Sequence, residues 1–380
     1  MQKELSMEME EGKTWSNQTM TTKTTTTTTV DYMSPPTKPV DYTKVVKAAV
    51  LCVTVAVAFL VLYYASIDNF GQTIPSLYGY KYRFVPAPTP IHNKTVVKDK
   101  YYELRTVLEA AATKDNTVIL TTLNEAWAAP NSVFDLFLEG FRVGNGTAKL
   151  LDHLLVIAVD DDAYARCKAT VSHCYFLKNN QSSQMAHEAV FMTPIYMDMM
   201  WGRLAFLQTI LSLGYSFVFT DTDVMWFRSP FPQFIPYSDI QTSCDLFNGQ
   251  QFNISNYPNN GFVYVKSNRR TIKFYKFWVA SRHTYPRLNE QDVFNIVKDG
   301  PFVKSIRLRI RFLNTDYFGG YCSPSRDFNK VCTMHANCCI GLDRKIADLK
   351  TTIEDWKNYF NSNYTGLQSS HWRVPNQCRG

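Results

Sequence analysis

No concentrated basic region is present in this sequence, although its formal net charge is +7 over 380 residues. Residues 1–47 hold six lysines and six acidic residues, so the positive excess lies further along the chain, where it is scattered. One short alternation, Arg307, Arg309 and Arg311, is typical of the exposed face of an edge strand, with contact to an anionic polymer as the alternative. The charge distribution therefore argues against nucleic acid as a partner.

Residues 1–47 are polar throughout and contain a Thr-rich tract from Thr19 to Thr29. Such a composition lacks the apolar side chains that a packed core requires. We therefore expect a disordered tail over this segment.

Residues 48–65 form an 18-residue stretch without a charge, which is just long enough to span a bilayer. The stretch lies far from the first residue and lacks a convincing cleavage site, which argues against a removed signal peptide. A buried helix of a soluble domain is the other alternative. Lysines precede the stretch, whereas the fifteen residues after it hold only Asp68 as a charge. The positive-inside rule therefore predicts a single-pass type II membrane protein with a cytosolic N-terminus and a lumenal remainder.

The part of the chain beyond the membrane segment has features of a lumenal protein. Residues 66–100 are polar and contain four prolines, which predicts a stem. Eight cysteines follow the segment, and an even number fits disulfide bonds in an oxidising compartment, with the pairing left open. Asn-x-Ser/Thr sequons in the same part predict glycosylation.

From Tyr101 onward, helical and strand-like patterns alternate, which predicts an α/β domain with a mainly parallel sheet. The strand-like runs are 117–122, 154–159 and 217–220, and helical spacing covers 132–141 and 197–213. Ligands of such sheets bind beyond the carboxyl ends of the strands. Asn124, Asp160 and the pair Asp221 and Asp223 each follow a strand-like run. We therefore expect these side chains to line one crevice.

Asp221-Thr222-Asp223 is the strongest candidate for a metal site. Side chains two residues apart on a strand point the same way, about 6.6 Å apart, so both carboxylates can bind one divalent cation. That cation would keep coordination positions for phosphate oxygens. A polar turn that closes the strand is the alternative. Apolar residues on both sides of the motif favour the metal, because buried acids without a cation are costly.

Two other functions remain alternatives at this point. A glycoside hydrolase would use the two acids on opposite sides of a sugar bond, which neighbours on one strand face serve poorly. A non-catalytic, membrane-anchored sugar-binding or scaffold protein of the secretory pathway is the second alternative.

Five strings resemble, in matching order, the plant nucleotide-diphospho-sugar transferase family that is grouped as glycosyltransferase family 77. They are 121–127, 219–224, 260–262, 291–295 and 332–339, which read TTLNEAW, FTDTDV, NGF, QDVFN and CTMHANCC. The likeness spans about Tyr101 to Phe360 and is nearest to membrane-anchored members without an assigned activity. It predicts a lumenal glycosyltransferase domain over residues 101–362 and a C-terminal tail over 363–380.

This resemblance implies a GT-A type fold, a Rossmann-like, mainly parallel sheet flanked by helices. It also implies Mn²⁺ or Mg²⁺ as cofactor, a UDP-sugar donor and retention at the anomeric carbon. The acceptor would be a cell-wall polysaccharide or glycoprotein, and the transferred sugar a pentose such as arabinose or xylose. The expected location is the Golgi membrane.

The resemblance also assigns roles at the metal. Asp221 would lie near the ribose and the metal, Asp223 would bind the metal directly, and His335 would complete the metal-diphosphate site. For His335, a disulfide-tied loop or a zinc site with Cys332 and Cys338 are the alternatives.

Other residues would contact the nucleotide. Thr122 and Asn124 would lie in the first nucleotide loop, and Arg203 would place a cation near the nucleotide unless it is an exposed helix residue. Asp160 is a nucleotide candidate whose alternative is a solvated strand end. Asn260 would face the donor unless Asn259 does so.

Gln291 and Asp292 complete the candidate catalytic set with Asp221 and Asp223. They would face the transferred sugar or the acceptor. The alternative for Asp292 is that its side chain caps a helix.

Overall fold

A seven-stranded sheet organises the chain in the computed structural model, which describes residues 99–178, 192–365 and 371–378. The strands are β1 Thr117–Leu123, β2 Leu154–Ala158, β3 His173–Phe176, β4 Ser216–Thr220, β5 Val224–Trp226, β6 Ile240–Leu246, β7 Tyr257–Val265, β8 Ile310–Phe312, β9 Phe318–Gly320 and β10 Thr333–His335. The large sheet has the order β3-β2-β1-β4-β7-β6-β8, and a three-stranded sheet has the order β5-β10-β9.

The large sheet is mainly parallel, as the sequence predicts. β1 runs parallel to both β2 and β4, β2 runs parallel to β3, and β8 runs parallel to β6. Only β7 is antiparallel to its neighbours, β4 and β6. The carboxyl ends of β1, β2 and β4 therefore lie at one edge, where the sequence places Asn124, Asp160 and Asp221.

Helices cover both faces of this sheet. They are α1 Tyr102–Ala111, α2 Glu125–Ala128, α3 Val133–Val143, α4 Asp161–Thr170, α5 Pro194–Ser212, α6 Arg269–Ala280, α7 Glu290–Val297, α8 Pro301–Ser305 and α9 Leu342–Thr365, with 3-10 turns at Ala148–His153, Phe231–Gln233 and Ser281–His283. Successive side chains of a strand point to opposite faces of the sheet, so each strand contributes to two cores. Val218 packs with α3 and α9 on one face, whereas Phe217 and Phe219 pack with α5, α6 and α7 on the other. Burial on both faces explains the continuous apolar run before Asp221.

The arginine alternation does not form a solvated strand face. β8 is an edge strand, but it spans only Ile310–Phe312, and Arg307 precedes it with a left-handed backbone φ of 52°. Arg309 pairs with the fully buried Asp239, although its own side chain is still 42% exposed. The predicted edge strand is therefore confirmed, but the three arginines do not share one of its faces.

Three disulfide bonds cross-link the described residues: Cys167–Cys174, Cys322–Cys338 and Cys339–Cys378. Cys244 and Cys332 are free and buried. Disulfide bonding is thus confirmed, although two of the eight cysteines remain unpaired. Through Cys378, residues 371–378 are attached to the segment that follows β10.

The predicted membrane segment, tail and most of the stem lie outside the described residues. In the part of the chain that the structure describes, helices lack the combination of length and apolar content that a bilayer crossing requires.

Candidate active site

The strand order brings the metal motif and His335 together. β4 ends at Thr220, and the chain continues through Asp221 and Asp223 directly into β5. β10 pairs antiparallel with β5 so that His335 lies opposite Val224. The amide of Ala336 also donates to the backbone carbonyl of Asp223 at 3.0 Å.

The ligand atoms of Asp221, Asp223 and His335 all lie within 4.8 Å of one another. His335 Nε2 is 3.1 Å from Asp223 Oδ1 and 3.9 Å from Asp221 Oδ2. Asp223 Oδ1 is buried and has no hydrogen-bond partner within the described residues, so its contact with the imidazole is close but poorly aligned for a hydrogen bond. Two carboxylates and an imidazole whose ligand atoms lie this close together suit a divalent cation. These residues therefore fit the cation that the resemblance implies.

One carboxylate oxygen of each aspartate faces His335, and the other oxygen accepts a hydrogen bond from a cationic side chain. Asp221 Oδ1 accepts from Arg203 at 2.9 Å, and Asp223 Oδ2 accepts from Lys345, which also donates to the carbonyl of Ala336. The ion pairs fix both carboxylates in orientation while leaving Asp221 Oδ2 and Asp223 Oδ1 facing His335.

Arg203 is a buried bridge rather than an exposed helix residue. Its side chain is 11% exposed, packs over the ring of Phe219 and donates to Glu290 Oε1 at 2.7 Å as well as to Asp221. Burial alone would lower the pKa of this guanidinium, but Asp221 and Glu290 raise it above its ordinary value.

Charges around the motif also set the protonation of the ligands. Burial would raise the pKa of Asp223, but Lys345 and His335 outweigh burial and hold that pKa far below its usual range. Burial would lower the pKa of His335, but Asp223 and then Asp221 raise it. Asp223 is therefore ionised at neutral pH, which is the form in which a carboxylate can bind a cation.

Gly261 in β7 allows the cluster to close. A Cβ atom at this position would lie 2.4 Å from His335 Cε1 and 2.5 Å from Asp221 Oδ2. Any other residue would push the imidazole and the carboxylate apart.

A cavity of about 570 Å³ opens beside the cluster and receives most of the predicted site residues. Those that line it are Thr122, Asn124, Arg203, Asp221, Asp223, Gln291, Asp292 and His335. Asp160 and Asn260 are not among its lining residues.

The carboxylate of Asp160 binds two backbone amides instead of lining the cavity. Its Oδ1 accepts from the amide of Ala163, which caps α4, and its Oδ2 accepts from the amide of Glu125, each at 2.8 Å. The carboxylate is buried, so it is not a solvated strand end. It holds the loop that carries Asn124, whose own side chain caps α2.

The pleat of β7 decides between the two asparagines. Asn259 and Gly261 line the cavity, whereas Asn260 lines a small pocket with Arg203 and Glu290, two residues that also line the cavity. Of the two asparagines between which the resemblance left a choice, Asn259 is therefore the one that lines the cavity.

Gln291 and Asp292 both lie in the first turn of α7. The cap of that helix is Asn289, whose side chain accepts from the Asp292 amide at 2.8 Å, so the carboxylate of Asp292 is not the cap. Gln291 is held at both ends of its amide: Oε1 accepts from the amide of Asn260 at 2.9 Å, and Nε2 donates to Asp245 at 3.4 Å.

The zinc alternative for His335 is wrong. Cys338 is bonded to Cys322, so it is not available as a thiolate ligand. Cys332 is buried with its sulfur toward the carbonyl of Ser229. His335 does lie beside a disulfide-tied loop, and its imidazole also lies within 4.8 Å of the carboxylates of Asp221 and Asp223.

Lys345 and Asp245 are cavity residues that the sequence did not indicate. Lys345 lies in the first turn of α9 and donates to Asp223. This contact depends on the path of the chain after β10, which the sequence does not show. Asp245 is the residue before the last of β6. The rule that strand ends carry ligands would have found it if the polar run IQTSCDL had been predicted as a strand.

Comparison with known proteins identifies the family. Residues 149–349 match the family described as nucleotide-diphospho-sugar transferase. The chain is 49% identical over 278 residues to the uncharacterized protein At4g15970 of Arabidopsis thaliana, and this alignment covers 73% of each chain. It is 39% identical over 276 residues to the uncharacterized protein At1g28695 of the same plant, and that alignment covers 71% of this chain and 82% of the relative. The chain therefore belongs to the nucleotide-diphospho-sugar transferase family and is a glycosyltransferase by class.

A solved structure with a similar chain path is the crystal structure of a glycosyltransferase involved in the glycosylation of the major capsid of PBCV-1. It aligns with 62% of this chain and 98% of its own, at 13% identity and a TM-score of 0.36. The family model and the sequence relatives confirm the family that the five strings indicated.

Proposed function

We propose that this chain is a divalent-cation-dependent glycosyltransferase that moves a sugar from a UDP-sugar to a hydroxyl of a cell-wall glycan or glycoprotein, with retention at the anomeric carbon. A pentose such as arabinose or xylose is the proposed sugar, as the resemblance implies. The observation that carries the proposal is the convergence of Asp221 Oδ2, Asp223 Oδ1 and His335 Nε2 on one point of the cavity.

The chemistry of the departing group explains this set of residues. A bound Mn²⁺ or Mg²⁺ would supply positive charge where the diphosphate accumulates negative charge as it leaves. Arg203 and Lys345 hold the two carboxylates in place before substrate arrives, so little reorganisation is needed during the reaction. The amide of Gln291, fixed at both ends, provides a rigid contact for the sugar.

Retention is proposed through front-side attack. The acceptor oxygen forms a bond to the anomeric carbon while the bond from that carbon to the diphosphate oxygen breaks, and the acceptor proton passes to the diphosphate. This route needs no protein nucleophile.

The arrangement of the acids does not favour a glycoside hydrolase. Asp221 and Asp223 both turn one oxygen toward the same imidazole. They do not flank a space in which a sugar bond would lie between them, as a hydrolase requires. A non-catalytic sugar-binding protein remains the alternative function.

A screen of UDP-sugars tests the proposal. Donor hydrolysis by the purified protein is measured with Mn²⁺, with Mg²⁺ and with EDTA, and thermal shift is measured with UDP and Mn²⁺. We expect turnover of at least one donor, abolished by EDTA, and stabilisation by UDP only with the cation. No stabilisation by UDP with Mn²⁺, together with no turnover of any donor, would instead favour the sugar-binding alternative.

We also propose that the chain is a single-pass type II protein of the Golgi membrane, with the catalytic domain lumenal. The uncharged stretch at residues 48–65 and the lysines before it support this. Carbonate extraction and protease protection of microsomes test it: the domain should stay with the membrane and be protected.

A further inference from the structure

A basic surface lies at the edge of the large sheet that is opposite the cavity. Asp239 directly precedes β6, whereas Asp245, near the end of the same strand, lines the cavity. The extended chain between these two residues is about 20 Å long. The basic surface is therefore separate from the metal cluster and from the cavity.

Two segments without acidic residues supply the cations of this surface. Residues 246–289 contain seven Lys and Arg residues and no Asp or Glu, and residues 300–315 contain four and again no Asp or Glu. The sequence spreads these cations along the chain, but the fold packs the two segments side by side. The rings of Phe277 in α6 and Phe302 in α8 stack with their centres 4.2 Å apart.

Asp239 joins the same two segments at a second point. Arg270 of α6 donates to both oxygens of this carboxylate, at 2.9 and 2.6 Å, and Arg309 donates to one of them at 3.4 Å. The carboxylate is fully buried, whereas the side chains of Arg270 and Arg309 are 38% and 42% exposed. Because a guanidinium has five N–H groups, each arginine keeps donors for an outside partner while Asp239 fixes its orientation.

Further cations surround these two arginines. The amide of Lys266 donates to the carbonyl of Asp239 at 3.0 Å, and Lys273 lies one turn along α6 from Arg270. We define the basic edge as six residues: Lys266, Arg269, Arg270, Lys273, Arg307 and Arg309. Within the described residues, the ion pairs of this set are the two with Asp239, so six cations and one carboxylate leave a net charge of +5.

The side chains around the basic edge favour a polymer over a membrane as its partner. Phe274, Tyr275 and Trp278 of α6 are buried in the core, so these side chains are not available to enter a bilayer. Tyr237, two residues before Asp239, is 83% exposed, and its ring offers an apolar face on which a sugar ring can pack. Arginine forks also match the geometry of carboxylates.

We propose that the basic edge is a docking surface for a linear polysaccharide that carries carboxylates. The inference rests on the proposed function and specifies the charge of the glycan acceptor. Uronate groups of the polymer pair with the exposed cations, and a sugar ring packs on Tyr237. The polymer is thereby retained beside the domain while one of its hydroxyls occupies the cavity.

A matched pair of polymers tests this proposal. Polygalacturonate and its fully methyl-esterified form share one backbone, but only the first carries ionised carboxylates. Binding of the full chain, in a neutral detergent, to each immobilised polymer is measured by biolayer interferometry. We expect the esterified polymer to bind at least about tenfold more weakly, and binding of the acid form to weaken as NaCl is raised.

Two matched double variants locate the binding surface. Arg269→Gln with Lys273→Gln removes two exposed cations that have no ion pair within the described residues, so the fold should be kept. Affinity for polygalacturonate should fall at least about fivefold. Arg142→Gln with Lys149→Gln removes the same charge from exposed residues beside the core on the other face of the sheet, and it should leave the affinity unchanged.

Each result decides the question. Equal affinity for the two polymers overturns the proposal, and so does an equal loss in the two double variants, because binding would then follow net charge alone. If short-chain phosphatidylserine binds through Arg269 and Lys273 while polygalacturonate does not bind, the surface serves a membrane and the proposal is wrong. UDP binding with Mn²⁺ is measured in parallel: its absence defeats the proposed function, whereas UDP binding without polygalacturonate binding defeats only the docking surface.

Discussion

His335 and Val224 lie opposite each other in the antiparallel pairing of β10 with β5, and this pairing completes the candidate metal site. Because β5 begins directly after Asp223, the register of the small sheet fixes the distance between the imidazole and the carboxylate. A shift of one residue would turn the imidazole to the other face of the strand. The small sheet is therefore the part of the fold on which the site depends.

Replacing Gly261 with alanine should open the metal cluster. The new methyl group would meet His335 Cε1 at 2.4 Å and Asp221 Oδ2 at 2.5 Å, so one of the two must move. We expect Mn²⁺ affinity, measured by calorimetry, to fall at least about tenfold, with about 1–3 kcal/mol lost in the free energy of unfolding.

A second glycine provides the control for that variant. A Cβ atom at Gly202 in α5 would meet nothing within 4 Å. Gly202→Ala should stabilise the helix by about 0.5–1 kcal/mol and leave Mn²⁺ affinity unchanged. Unchanged Mn²⁺ affinity in Gly261→Ala would show that the cluster is not the cation site.

Arg203 should matter for stability as well as for turnover. Its removal leaves Asp221 and the buried Glu290 without their partner, and breaking a buried ion pair costs about 3–5 kcal/mol. We expect Arg203→Met to lose free energy of unfolding in this range, as measured by urea denaturation. Adding Glu290→Gln should restore part of the stability, because one uncompensated charge disappears, but should not restore donor turnover.

Arg203→Lys provides the companion measurement. Lysine keeps the charge but lacks the fork that reaches both carboxylates. The free energy of unfolding of Arg203→Lys should therefore lie between that of the unmodified protein and that of Arg203→Met. If Arg203→Met unfolds at the same urea concentration as the unmodified protein, the bridge contributes nothing to the fold.

The sequence predicted the local part of the site and missed the part that depends on strand register. Asp221 and Asp223 are recognisable because an apolar strand precedes them and both acids stand within three residues. The choice between Asn259 and Asn260 depends on the pleat of β7, which pairing with β4 and β6 determines. Asp160 follows a correctly predicted strand, yet backbone amides occupy both its oxygens, and no pattern in the chain indicates that.

Asp239 should make the stability of the protein sensitive to acid. Its side chain is fully buried and accepts hydrogen bonds from Arg270 and Arg309. Burial would raise the pKa of this carboxyl, but those hydrogen bonds outweigh it and lower the pKa. The stabilisation is therefore present above the unfolded-state pKa of about 3.9 and is lost as the pH falls toward the lower pKa of the folded state.

Asp239→Asn tests that linkage. The variant should lose about 1.5–3 kcal/mol in the free energy of unfolding at pH 7, and the difference from the unmodified protein should narrow below about pH 4. Urea denaturation at several pH values measures it. Asp299→Asn, which breaks an exposed ion pair with Lys304, should change stability by less than about 1 kcal/mol at every pH. If the stability difference between Asp239→Asn and the unmodified protein is the same at every pH, ionisation of the Asp239 carboxyl is not the cause of that difference.

The bond between Cys339 and Cys378 should support the active site as well as the fold. Cys339 lines the cavity between His335 and Lys345, and its partner belongs to residues 371–378. That segment is anchored on α9, where the Asp348 carboxylate accepts from the amide of Cys378 at 2.8 Å. The disulfide therefore restrains the wall that carries both the imidazole and the ammonium group of the metal cluster.

Removing this bond by Cys339→Ser with Cys378→Ser should cost about 3–4 kcal/mol, because the cross-link closes a loop of 39 residues. Because the freed wall carries His335, Mn²⁺ affinity should fall as well. The comparison is Cys167→Ser with Cys174→Ser, which removes a bond between α4 and β3 away from the cavity. That variant should lose stability without losing Mn²⁺ affinity. Equal Mn²⁺ affinities in the two double variants would mean that the cavity wall with His335 and Lys345 keeps its position without the cross-link. The hydrogen bonds of Asn337 and Lys345 would then be enough to hold that wall.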